Sequence, residues 1–136
     1  MSRAEARAVP PDQARAAQFL HAAERVFADA ERTEMSSEGA LILYYQACVA
    51  GMKAVLAASG RDVGGGDDGH VVLIGEVGGL LGPVFDELLA RIGEDRRERN
   101  AVSYAAVVPS ALAVETVRQD ARELLDAASR FVRAND

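Results

Sequence analysis

Between Glu38 and Ser59 the chain carries a single charged side chain, Lys53. Leu41, Tyr44, Tyr45, Cys48, Met52, Val55 and Leu56 anchor that stretch at helical spacing, so about residues 38–59 read as one helix. Ser36-Ser37 offers N-caps and Gly60 a C-terminal stop. A helix that is apolar nearly all round is either central to a bundle or covered by a partner chain. The rest of the chain has to supply that cover.

Three further stretches can do so. After Pro10-Pro11, Asp12 is a plausible N-cap. Phe19, Leu20, Ala23, Val26, Phe27 and Ala30 then mark one face of a helix reaching about Arg32. Residues 60–69 read as a flexible loop, and His70 to about Leu81 as a helix interrupted by Gly75, Gly78 and Gly79. Gly82-Pro83 ends it, and Val84, Phe85, Leu88, Leu89 and Ile92 form the next apolar stripe, which continues through Arg96–Tyr104 despite Gly93. Val108-Pro109-Ser110 is a break, with Ser110 as N-cap of a last helix over about 111–134. No stretch alternates apolar and polar residues between turn signals, so strands are not expected. No internal repeat is visible.

The expected fold is therefore all-α, an antiparallel four- to five-helix bundle with its third helix kinked or split near Gly82-Pro83. Residues 1–11 read as a flexible tail and 12–136 as one domain. The 136 residues suffice for one core that buries roughly two-thirds of the unfolded chain's surface. Aromatic residues are 5% with no Trp, which suits close-packed helices better than a β-sandwich. The nearly unbroken apolar surround of residues 38–59 also makes a homodimer an expectation.

Charge and composition exclude several classes. A net charge of −6 argues against indiscriminate attraction to nucleic acid, leaving only a local basic patch. One Cys rules out an internal disulfide and a cysteine-rich zinc site. Two His residues do not make a three-His metal centre, so no metal and no cofactor are expected. No run of 18 apolar residues suggests a membrane span, and the start has no apolar signal region. A cytoplasmic location is expected.

Few residues invite chemistry. Gly64-Gly65-Gly66 lacks the Lys-Ser/Thr of a phosphate loop and reads as a hinge. His21 with Glu24 reads as surface, and His70 after Asp67-Asp68 as an ordinary helix-start residue. Cys48 reads as a small buried hydrophobe. The segment that stands out is Arg96-Arg97-Glu98-Arg99-Asn100-Ala101-Val102-Ser103-Tyr104. Asn100 and Tyr104 lie about 40° apart on a helix, with Arg96 and Ser103 near that face. Arg99 points about 140° from Tyr104, so the two need a bend or a second chain to cooperate. A solvated helix end, with Glu94, Asp95 and Glu98 pairing the arginines, is the plain structural alternative.

Arg99-Asn100-x-x-x-Tyr104 resembles the Arg-polar-x-x-x-His motif of HEPN domains, small four-helix bundles of prokaryotic defence and toxin–antitoxin systems. Residues 47–60 are similar to the second HEPN helix, and the stretch from Pro109-Ser110 onward to the last. The resemblance implies a metal-independent ribonuclease fold in which Arg and His cooperate across a dimer to cleave RNA. Arg99 matches the phosphate-stabilising arginine and Asn100 the orienting polar residue. Tyr104 stands in the histidine's place, and tyrosine near pKa 10 is a poor base at neutral pH. Counting from Arg97 instead puts Val102 in the histidine's place. Tyr104 then matches a tyrosine that a nucleotidyltransferase antitoxin modifies with AMP in some family toxins.

The expectation is a degenerate HEPN-like protein that binds RNA or a nucleotide with little or no ribonuclease activity. Arg96, Arg97 and Arg99 would contact phosphate, and Asn100, Ser103 and Tyr104 the base or sugar. The alternative is a protein–protein or antitoxin-like module whose polar segment lines a dimer interface. A third is an active metal-independent ribonuclease using Arg99 and Tyr104.

Overall fold

The computed structural model describes residues 6–63 and 66–136. Its elements are β1 (Arg7–Ala8), α1 (Gln13–Ala30), α2 (Ser37–Ser59), β2 (Arg61–Asp62), α3 (Gly66–Leu81), α4 (Asp86–Ala105) and α5 (Ala111–Ala134), with a 3-10 turn at Pro83–Phe85. The chain is all-α apart from the two short strands.

Capping chemistry sets three of the helix starts. The side chains of Asp12, Ser36 and Ser110 accept from the amides of Arg15, Gly39 and Ala113 at 2.9, 3.0 and 3.0 Å. Each satisfies an amide that the first helical turn leaves without a partner. α2 ends at Gly60, whose φ of +77° is left-handed. A Cβ there would stand 2.7 Å from the Val9 carbonyl oxygen, so glycine answers both the turn and the close approach.

α2 is central. It packs most extensively on α1 and α5, and also on α3 and α4. Leu41, Tyr44, Tyr45, Cys48, Met52, Val55 and Leu56 are all buried, as their spacing predicts. Gly51 lets α5 come close, since a Cβ there would meet Leu124 Cδ1 and Leu125 Cδ1 at 3.2 Å. α2 is also the one helix, among the described residues, long and apolar enough to cross a membrane, and the bundle buries most of it. One chain therefore accounts for its apolar surround.

Four expectations of the fold are corrected. α3 begins at Gly66 rather than near His70, taking four residues from the expected loop. First-turn amides have no intrahelical partner, so glycine and polar residues are tolerated there. Gly64 and Gly65 lie outside the described residues. α3 also runs through its glycines: Gly75 and Gly79 face open space, and the chain breaks only at Gly82, φ +94°, followed by Pro83. Val84, expected in the apolar stripe, is 89% exposed. The tighter 3-10 turn rotates it out of phase with Leu88, Leu89 and Ile92, which are buried.

Strands were not expected, yet β1 and β2 pair antiparallel, Arg7 opposite Asp62 and Ala8 opposite Arg61. Two residues are too few to display alternation. An Arg7–Asp62 ion pair at 3.0 Å, with Val9 N–H donating to Gly60 O and Asp12 N–H to Ala57 O at 2.9 Å, fastens residues 7–12 beside the end of α2.

Candidate functional site

Leu88, Ile92, Asp95, Arg99 and Val102 follow one another on α4 at intervals of four, three, four and three residues. That is the core-facing stripe of the helix, and Leu88, Ile92, Asp95 and Val102 are buried. Arg99 and Asp95 thus occupy core-side positions in a segment whose composition reads as a solvated surface.

Arg99 is half-buried and meets two side chains from other helices. Its guanidinium carbon lies 5.1 Å from the centroid of the Tyr45 ring, a cation–π distance. Its Nη2 stands 3.4 Å from His70 Nδ1, and the Tyr45 hydroxyl 3.3 Å from the same nitrogen. Arginine only donates, so in this contact Nδ1 accepts and the imidazole proton sits on Nε2. The two rings tilt by 49° with centroids 5.8 Å apart. These three residues line a cleft of about 280 Å³ with Ile42, Gln46 and Val49.

The cluster has a chemical logic. A guanidinium in a partly apolar cleft is a fixed donor for a phosphate or carboxylate. An imidazole is the side chain whose ordinary titration falls near neutral pH. Tyr45 is buried beneath the guanidinium and fixes its position.

The other residues singled out from sequence are dispersed. Asn100 and Arg96 are half-buried, Arg97 and Ser103 exposed, and Tyr104 is 80% exposed. Within one chain the structure does not bring Tyr104 to Arg99. Tyr45 and His70 were legible separately, as a core anchor and a helix-start residue, but no local signal joins either to Arg99. His21 is exposed, and Glu24 is engaged by Arg122 at 2.6 Å.

A second polar cluster lies deeper. Asp95 and Asp120 are 4% and 3% exposed, and their carboxyl groups meet between α4 and α5. Arg91 Nε donates to Asp120 Oδ1 at 2.9 Å and its Nη2 to Glu123 Oε2 at 2.9 Å. The remaining Oδ2 atoms of Asp95 and Asp120 have no donor. Burial, then the hydrogen bond and charge of Asp120, push the Asp95 carboxyl up to about 9, against the opposing pull of Arg91. One proton between the two carboxyls fits that arrangement. Burial, with the charges of the same pair, also holds the Cys48 thiol protonated. Among the described residues, no three His, Cys, Asp or Glu side chains gather as metal ligands would.

No protein-family model, no curated protein and no solved structure matches the chain.

Proposed function

We propose that the chain is a HEPN-like protein of a bacterial defence or toxin–antitoxin system that binds a phosphate group of RNA or a nucleotide through Arg99. The observation that supports this is the seating of Arg99 in a cleft against Tyr45 and His70. Its guanidinium, held against the buried Tyr45 ring, takes the phosphate, and the half-buried His70 faces the sugar or base. The flanking Arg96 and Arg97 add phosphate contacts, and Asn100 and Ser103 polar ones. The setting is the cytoplasm, and the cognate partner is an antitoxin or a nucleotidyltransferase. With a net charge of −6, binding is confined to this site and falls steeply with salt.

The test is binding of end-labelled RNA without metal, for wild type, Arg99→Ala and Tyr104→Phe. Arg99→Ala is expected to weaken binding about tenfold or more, the scale of a lost charge-assisted phosphate contact. Equal affinity of wild type and Arg99→Ala would overturn the reading. The same gels carry cleavage as a readout, because His70 places in the cleft the imidazole that the motif lacks at Tyr104. Cleavage abolished by Arg99→Ala would replace binding by metal-independent ribonuclease activity.

A second reading, a protein–protein module, draws on exposed apolar side chains at the α4–α5 turn. Tyr104, Val107, Val108 and Leu112 all face solvent there. A homodimer through this turn would cover them, and a second copy is the route by which Tyr104 reaches Arg99. With Cys48 buried, Asn100→Cys leaves one reactive thiol for a short cross-linker. A dimer band is expected at micromolar protein, and its absence would remove the dimer.

A further inference from the structure

A second cavity of about 270 Å³, sharing His70 with the Arg99 cleft, opens between α1, α2, β2 and the start of α3. Three cations from three elements converge on it: Arg15 from α1, Lys53 from α2 and Arg61 from β2. Lys53 is the only lysine of the chain and the only charge on α2 beyond Glu38. Its position on an otherwise apolar helix places it at this cavity.

Charge accounting separates the three. Arg61 is paired with Glu76 at 3.3 Å, and Asp62, the acid on the cavity wall, with Arg7 at 3.0 Å. Among the described residues, neither Lys53 nor Arg15 has a carboxylate partner. Among the described residues, the cavity is therefore bordered by two exposed positive charges without a carboxylate partner, in a chain that is acidic overall. Arg15 lies over the Phe19 ring, 5.2 Å from its centroid, and Phe19, Leu56 and Leu73 supply an apolar wall. A small compartment that joins such a wall to a few convergent polar groups has the make-up of a ligand site.

The charge selects the ligand. A phosphate monoester carries about −1.5 to −2 near pH 7 and three terminal oxygens. That matches two free cations with a third donor in Arg61, whereas a carboxylate offers one charge and two oxygens. We propose that this cavity binds the phosphate monoester of a small organic molecule whose apolar or aromatic body lies on Phe19, with Lys53 and Arg15 carrying the charge. Such a group comes from a free mononucleotide or from the 5′-phosphorylated end of a strand. The proposal does not rest on the role given to Arg99.

Isothermal titration with AMP, adenosine, and a short oligoribonucleotide with either a 5′-phosphate or a 5′-hydroxyl tests it. AMP is expected to bind at or below about 1 mM. Adenosine should be about tenfold weaker or worse, and Lys53→Gln and Arg15→Gln should each weaken AMP about fivefold or more, as lost charge-assisted contacts do. Binding of only the 5′-phosphorylated oligonucleotide, with the same dependence on Lys53 and Arg15, would assign the site to strand ends. Unchanged affinity in both Gln variants with a native circular dichroism spectrum, equal affinity for AMP and adenosine, or no binding of either phosphorylated ligand would overturn it.

Discussion

Asp95→Asn should raise the melting temperature, and the gain should grow with pH. The carboxyl sits at about 9 in the fold because burial and the neighbouring Asp120 disfavour its charge. In the unfolded chain an aspartate titrates near pKa 3.9. Between those values the folded state holds a proton that the unfolded state has released, so stability falls as pH rises. The contribution is complete below about pH 4 and is lost progressively up to about pH 9, by at most about 1.4 kcal/mol per pH unit. An amide keeps the volume and donates to Asp120 without taking up a proton. At neutral pH the variant should gain about 2–4 kcal/mol, or about 5 °C and more in Tm. The groups facing the pair, Arg91 and Glu94 on α4, Glu123 on α5 and Cys48 on α2, stay the same in both proteins. The difference in Tm between variant and wild type therefore reports on the Asp95–Asp120 pair. It should be small near pH 4, widen to pH 9 and flatten beyond, as thermal melts across that range will read. A difference independent of pH would show that Asp95 is ionised in the fold.

Asp95 also marks where sequence reading loses its grip. Caps and apolar periodicity place α1, α2 and α5 nearly to the residue, because Asp12, Ser36, Gly60 and Ser110 act on amides and carbonyls within a few positions of themselves. The break at Gly82-Pro83 is local in the same sense. The core-side placement of Asp95 and Arg99 escapes notice because residue type outweighs position: a carboxyl and a guanidinium read as solvent-facing even on the stripe of Leu88, Ile92 and Val102. Of the candidate site, Arg99 stood out in the sequence as part of a polar segment. Its meeting with His70 and Tyr45 was not legible, since it requires α2, α3 and α4 to be packed already. The start of α3 four residues early matters here, because it places His70 in the second turn of the helix rather than at its first residue. The cation cavity is intermediate: Lys53 stands out in the sequence, while Arg15 and Arg61 join it only through packing.

The close approach of α5 to α2 at Gly51 gives the other large effect. Leu124 is fully buried on α5, and its Cδ1 would stand 3.2 Å from a Cβ placed on Gly51 of α2. Leu124→Ala should cost about 3–4 kcal/mol, the sum of lost transfer energy and a cavity that the surrounding helices only partly close. That is a large share of the roughly 5–15 kcal/mol that holds a domain of this kind folded. Gly51→Ala alone should be near neutral. Its helix-propensity gain of about 1 kcal/mol is offset by methyl contacts that Leu124 and Leu125 must yield to accommodate. In the Leu124→Ala background the Leu124 contact is gone, and the added methyl group fills part of the cavity. The same Gly51→Ala change should then recover about 1 kcal/mol or more, a coupling expected of residues that touch. Urea midpoints for the four proteins of this cycle measure it. Additive shifts would mean that α2 and α5 stand farther apart at Gly51 than the close approach requires, and that glycine there serves no packing purpose.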